Sequence, residues 1–325
     1  MMKNVSQAIA AYLDSVYLAR SDSTARTYRN ALRSFCQVLE DNSQDPDKTT
    51  VDKLDESAIA WFAAALKNYA PATERLYLTA VTGFYEYLAA EQLSDVNLPR
   101  LRLLIRQRAR RPGQRLPQFP RDAIETVLDY ADHLKDVAFE EPNEQLRNLR
   151  DRAFLLTLAD TGLRVHEACA LRRGDLDWNE SKAIIIGKGD REAVVRFSHR
   201  SIGAIKDYLS LRASLDGDSG RALTSLPIFA RHDKGAGKKI KPITTTTGRN
   251  IVSQRVTEIL GNSAAGTITP HSFRHYFVTT VLRGSGGNLK LAQELARHKN
   301  IAVTTRYAHL ADDELDRGYF DIFDE

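Results

Sequence analysis

Residues Ile268–Leu310 read ITPHSFRHYFVTTVLRGSGGNLKLAQELARHKNIAVTTRYAHL. His271 and Arg274 stand three apart at the start of a helical run, so both project from one face. A Gly-rich turn, Gly284–Gly287, separates that run from a second one, Leu289 to Ala296, which ends in Arg297-His298. Tyr307 follows nine residues after His298. Two pairs of cationic or proton-handling side chains and one phenol, gathered by short helices, suit chemistry on a phosphodiester.

Upstream of this stretch the pattern is helical with one hairpin. Arg121–Tyr130 and Leu146–Thr161 have helical spacing, and Gly162 fits the left-handed position that closes a helix. Leu163-Arg164-Val165-His166-Glu167 opens the next helix. Ala183–Ile186 and Glu192–Phe197 read as two strands joined by Gly187-Lys188-Gly189-Asp190-Arg191, which puts Lys188 at or near a hairpin turn. Ser201–Ser214 and Thr247–Leu260 are helical, with a basic loop over Arg231–Lys241 between them.

The first part of the chain is all helical. Val5, Ile9, Tyr12, Leu13 and Val16 mark an amphipathic helix over residues 4–19. A second runs from about Thr24 to Glu40 behind the capping oxygens of Ser21-Asp22-Ser23, with Arg26, Arg29 and Arg33 opposite its apolar stripe. A third spans about Glu56–Leu66. A fourth starts at Pro71 and reaches about Ala90; its Leu76, Leu78, Val81, Phe84, Tyr85 and Leu88 read as core, and Thr73, Arg75 and Thr79 face outward. Residues 1–99 carry nine Lys and Arg against thirteen Asp and Glu, so any binding of nucleic acid there uses particular faces and not bulk attraction. Arg100–Arg121 is the opposite: eight arginines, among them Arg106, Arg108, Arg110, Arg111 and Arg115, with no acidic residue and with Pro112, Pro117 and Pro120 as punctuation. Unopposed arginines in a linker suit a strap along phosphates, through counterion release. The expected organisation is an all-α domain over 1–99, a basic linker over 100–118 and a mixed domain over 119–325. The fold class is mainly α with a small antiparallel β-sheet.

Composition narrows the function classes. The chain has 325 residues, a formal net charge of +4 and two cysteines, Cys36 and Cys169, too few for a disulfide framework. No apolar run approaches the roughly 20 residues of a membrane span, and the N-terminal pattern is not that of a signal peptide. A cytoplasmic, nucleoid-associated protein is expected. Gly235-Ala236-Gly237-Lys238-Lys239 fails as a phosphate-binding loop, because Lys239 replaces the hydroxyl and His232 stands where the first glycine belongs. His166-Glu167 fails as a zinc-protease helix at Ala170, and no Cys and His set offers four zinc ligands. Neither a metal nor another cofactor is expected.

In order, Thr161-Gly162-Leu163-Arg164 with Glu167, Gly187-Lys188-Gly189, His271-Ser272-Phe273-Arg274-His275, His298 and Thr304-Thr305-Arg306-Tyr307 form a set that resembles the tyrosine recombinase (phage integrase) family. The likeness covers essentially the whole chain, and its length and short tail are most similar to Xer-type and simple integrase members. It departs where members commonly carry Leu-Gly-His, since this chain has Leu295-Ala296-Arg297-His298. The resemblance implies an enzyme that cuts and rejoins DNA through a 3′-phosphotyrosyl intermediate and a Holliday junction. Arg164, Lys188, His271, Arg274, His298 and Tyr307 would be catalytic and Glu167 supporting. Arg26, Arg29, Thr73 and Arg75 would lie near DNA, and the arginines of the linker along its phosphates. The implied partners are double-stranded DNA with paired inverted sites and a homotetramer on it, formed from a free monomer, with a second recombinase or a DNA-bending protein as accessory. The tail Ala311–Glu325 would pack on its own domain or dock on a neighbour. A type IB topoisomerase, or a site-specific regulator that has lost catalysis, are the alternatives.

Overall fold

Side-chain caps start three of the five α-helices described in the first unit. Asn4 accepts from the Gln7 amide at 2.8 Å and begins α1 (Val5–Ala19); Ser21 caps α2 (Asp22–Asp41). α3 (Ser57–Ala65) and α4 (Pro71–Ala90) follow, the latter with proline in its first turn, where no amide is needed. Asn97 caps α5 (Leu98–Arg108). The structure, a computed structural model of the chain, describes residues 3–110, 120–137, 141–187, 191–233, 235, 239–305 and 307. It divides into two compact units, Met1–Arg115 and Leu116–Glu325.

The core of the first unit is aromatic. Phe35, Phe62, Phe84 and Tyr85 are fully buried, and Phe35 meets Phe62 edge-on at 5.3 Å. Two expectations change here. Leu76 is not core but 44% exposed, because the inward stripe of α4 runs through Glu74, Leu78, Val81, Tyr85 and Leu88. Glu74 belongs to that stripe because Lys67 (2.9 Å) and Arg110 (2.5 Å) neutralise its carboxylate. The basic segment also begins as a helix, not as an open strap. Leu98, Leu101, Leu104 and Ile105 recur at helical spacing and pack on the core, Leu101 completely, which leaves Arg100, Arg102, Arg106 and Arg108 on the outer face. The expected boundary after residue 99 therefore falls inside α5.

The second unit is built around α7 (Pro142–Thr161), whose surface is buried almost all round from Leu146 onward. α6 (Arg121–His133), α9 (His199–Leu211) and α12 (Pro270–Gly284) pack on it; α8 (Val165–Ala170) follows it in the chain. α10 (Ala213–Gly217), α11 (Thr245–Leu260), α13 (Leu289–Ala296) and α14 (Ile301–Thr305) complete the helices among the described residues. β1 (Leu176–Asp177), β2 (Lys182–Gly187) and β3 (Arg191–Arg196) form one antiparallel sheet in the order β1-β2-β3, with Ile185 opposite Ala193 and Gly187 opposite Arg191. β1 is a two-residue strand, too short to leave a sequence pattern. Ala183 and Ile185 enter the core while Ile184 and Ile186 face out, as strand alternation requires. Gly162 ends α7 at φ +58°, and a Cβ there would meet the Phe277 ring at 2.4 Å. Both the conformation and the space demand glycine. In the described residues no helix is long and apolar enough to cross a membrane.

Candidate active site

Chain direction after Gly162 places the first arginine. Leu163 donates its amide to Thr161 Oγ1 at 3.2 Å, and Arg164, extended at φ −70° and ψ 149°, starts α8. Glu167, one turn along, accepts the Arg164 amide on Oε2 and the Arg164 Nη1 on Oε1, both at 2.9 Å. Its carboxylate is almost fully buried. Burial alone would raise its pKa, but the Arg164 amide, Arg297 and the Arg164 guanidinium outweigh that and hold it low.

α12 supplies the next groups. Thr269 and Ser272 cap it reciprocally, with Pro270 in the first turn, so that His271, Arg274 and His275 follow one another along one face. Arg274 is 3% exposed and donates to two backbone carbonyls, Gly162 O through Nη1 and Ala296 O through Nη2. These anchors tie the end of α7 and the end of α13 to the middle of α12. Burial, then Arg164 and Arg297, push the Arg274 pKa down to about 10, against the pull of Glu167 and Tyr307, so it remains charged at neutral pH.

α13 ends in Arg297, itself left-handed at φ +55°, and delivers His298, whose Nδ1 shares a hydrogen bond with Thr304 Oγ1 at 2.9 Å. Tyr307 is 5% exposed and packs with Val278, Leu282, Ala292 and Ala296. Its ring lies 4.9 Å from that of His275 and nearly parallel to that of His298 at 6.5 Å; His275 in turn meets His271 edge-on at 4.3 Å. Burial and the neighbouring arginines lower the pKa of His271, and burial with Arg274 and Arg164 takes His298 down to about 4. His275, through burial, His271 and Arg274, is also at about 4. All three imidazoles are therefore neutral at pH 7 and able to accept a proton or a hydrogen bond.

Arg164, Glu167, His271, Arg274, Arg297 and His298 line one cavity of about 570 Å³. Gly187 and Ala193 of the β2–β3 hairpin also line it; Lys188, expected between them, lies outside the described residues. The arrangement offers fixed positive charge and neutral imidazoles around a space large enough for a phosphodiester, with the phenol of Tyr307 packed beside it against His275 and His298. Two of its members received no role from the sequence. His275 follows His271 by four residues on a helix; Arg297 stands out as the departure from Leu-Gly-His, but only the fold turns it toward Glu167. Among the described residues, no group of three or more His, Cys, Asp or Glu side chains could hold a metal ion.

The first unit carries the other expected residues. Arg26, Arg29, Arg75, Arg106 and Arg108 are exposed and Thr73 is half-buried. Arg29 covers the Tyr17 ring at 5.0 Å. Arg75, Thr79, Thr82 and Arg106 line a cleft between α4 and α5. Arg110 borders the same cleft, but it is committed to Glu74 and to the Tyr69 carbonyl. Arg111, Arg115 and the tail 311–325 lie outside the described residues.

A family model described as "Phage integrase family" matches residues 123–314, and one described as "Phage integrase, N-terminal SAM-like domain" matches residues 9–92. Among curated proteins the chain is 30% identical to tyrosine recombinase XerC of Pelobacter propionicus, over 91% of this chain and 87% of that one. It is 26% identical to tyrosine recombinase XerD of Mycobacterium tuberculosis, over 94% of each. The fold is similar to that of the XerH site-specific recombinase bound to a palindromic difH substrate, with a TM-score of 0.67 at 18% identity over 93% of this chain and 80% of that one. It is also similar to that of the Tn1549 transposon integrase in complex with transposon right end DNA, with a TM-score of 0.64 at 16% identity over 99% and 100%.

Proposed function

The chain belongs to the phage integrase family, and from that premise we propose how it acts as a tyrosine-type site-specific DNA recombinase. The observation that carries the reading is the single cavity in which Arg164, Arg274, His271 and His298 converge, with the buried phenol of Tyr307 behind His275. Tyr307 attacks the scissile phosphorus, leaving a 3′-phosphotyrosyl bond and a free 5′-hydroxyl. The covalent step conserves the phosphodiester energy for resealing, and exchange of strands passes through a Holliday junction. Arg164 and Arg274 fork onto the non-bridging oxygens and meet the charge that grows there. His271, kept neutral by its surroundings, takes the phenol proton, and His275 packs against both rings, at 4.3 and 4.9 Å. His298 donates to the phosphate, and Lys188 protonates the 5′ leaving oxygen. Glu167 braces Arg164.

Duplex DNA with paired inverted sites is the proposed substrate, bound by a homotetramer that assembles from monomers, with a second recombinase or a DNA-bending protein as accessory. Arg26, Arg29, Thr73 and Arg75 approach the bases or backbone, while Arg106, Arg108, Arg111 and Arg115 follow phosphates. A cytoplasmic site of action on the nucleoid follows from that substrate. Recombinases among the relatives speak against a topoisomerase, and the full set of catalytic residue types against an idle regulator. The test is covalent trapping on fragmented genomic DNA, followed by sequencing of the linked ends. The wild-type protein gives an SDS-resistant adduct at a recurrent sequence, and Tyr307→Phe binds the same DNA without one. An adduct formed by Tyr307→Phe refutes the assignment.

A further inference from the structure

Arg297 occupies a backbone conformation that glycine adopts without cost and arginine does not, at φ +55° and ψ 44°. Its side chain has to repay that. Nη2 reaches Glu167 Oε2 at 3.1 Å and the Gly162 carbonyl at 3.4 Å, but Nε and Nη1 are buried with no acceptor. A guanidinium half satisfied and removed from water weakens a fold. It is accounted for if its charge acts on a ligand.

Glu167 is shared. Arg164 holds Oε1 through Nη1, and Arg297 holds Oε2. With Oε2 taken, Arg164 pairs through one nitrogen and makes no other side-chain hydrogen bond to the described residues. Without Arg297, Oε2 would keep only the Arg164 amide, and its freed lone pair would draw the Arg164 guanidinium into the two-pronged pair that guanidinium and carboxylate prefer, away from the cavity. Charge points the same way. Among the described residues that line the cavity, three guanidiniums, Arg164, Arg274 and Arg297, face one buried carboxylate, Glu167, while Glu192 and Lys299 at the exposed rim offset each other. This surplus of two positive charges, to which Lys188 adds in the proposed mechanism, exceeds the single negative charge of a resting phosphodiester and is met more fully by the two that gather when a phenolate adds to it. Such a site favours the transition state over the ground state.

We propose that Arg297 is a positioning residue for phosphoryl transfer, holding Glu167 so that Arg164 stays turned to the scissile phosphate and adding a third fixed positive charge beside it. This rests on the recombinase reading. The experiment compares wild type, Arg297→Gly and Arg297→Lys on the duplex recovered by trapping with wild type, in single-turnover cleavage and in DNA binding. A second duplex carries a methylphosphonate at the scissile position, which removes one negative charge. Arg297→Gly, relieved of its backbone strain, melts no lower than wild type and binds DNA within about twofold. Its cleavage slows by roughly 10- to 100-fold, less than for a residue touching the phosphate, and Arg297→Lys recovers part of the rate. On the methylphosphonate duplex the gap between Arg297→Gly and wild type shrinks at least several-fold. Wild-type cleavage rates in Arg297→Gly, or a defect of equal size on both duplexes, overturn the proposal. Absence of any adduct with the wild-type protein instead overturns the recombinase reading beneath it.

Discussion

Replacing Arg274 by alanine separates catalysis from stability. On the stability side, two hydrogen bonds from a charged donor to Gly162 O and Ala296 O disappear, at about 1.5–3 kcal/mol each. Against this, the charged form of Arg274 is disfavoured by its burial and by Arg164 and Arg297, and its pKa of about 10 corresponds to roughly 3 kcal/mol that the substitution relieves. The net loss is about 0–3 kcal/mol, a fall in Tm of no more than about 10 °C for a unit of this size. On the catalytic side nothing offsets the loss. One fixed donor at a developing charge is worth about 3–4 kcal/mol, so phosphotyrosyl formation falls by a factor of about 100–1,000. The assay is single-turnover trapping on a nicked suicide duplex at 20 °C, beside a thermal melt. Adduct formation above about a tenth of the wild-type rate would refute the catalytic role. A fall in Tm beyond about 15 °C would show instead that the residue mainly holds the fold together.

Acid should destabilise the second unit. His275 and His298 have pKa values of about 4 in the folded chain, below the unfolded value of about 6.5, so the unfolded chain binds protons first. Their contribution is complete above about pH 6.5 and is lost as the pH falls toward 4, which chemical denaturation across that range measures; a flat profile would contradict the burial of these rings. Gly162→Ala should cost about 2–4 kcal/mol, from the left-handed backbone and the clash with Phe277, and should lower cleavage further by moving the carbonyl that anchors Arg274; urea titration and trapping read the two effects. Arg106→Ala with Arg108→Ala should reduce the salt slope of DNA binding by about 2, whereas Arg110→Ala should leave the slope unchanged and lower the melting temperature, because its partner Glu74 is buried.

Helices with an apolar stripe and a capping oxygen were legible from residue types alone, as α2 behind Ser21 shows, and so was the antiparallel pairing of β2 with β3. Local patterns decide such elements. What escaped depends on distant partners. The eight arginines between residues 100 and 121 hid the stripe of Leu98, Leu101, Leu104 and Ile105, so the segment read as a strap although its first part is α5. Glu74 sits in an inward stripe because of Lys67 and Arg110, seven residues before it and thirty-six after it. In the site, Arg164, His271, Arg274, His298 and Tyr307 are marked by order and spacing, and the fold gathers them in one region. No spacing rule could have shown that Arg274 is held by the carbonyls of Gly162 and Ala296, or that Arg297 shares Glu167 with Arg164.

The helix α7, enclosed by its neighbours over nearly all its circumference, ends at the carbonyl that receives both Arg274 and Arg297. A rod so enclosed has little freedom to fray, and the last link it makes is to two of the guanidiniums that line the cavity. Heat inactivation should therefore arrive as a single step, concurrent with melting of this unit, and amide exchange along α7 should be among the slowest in the chain.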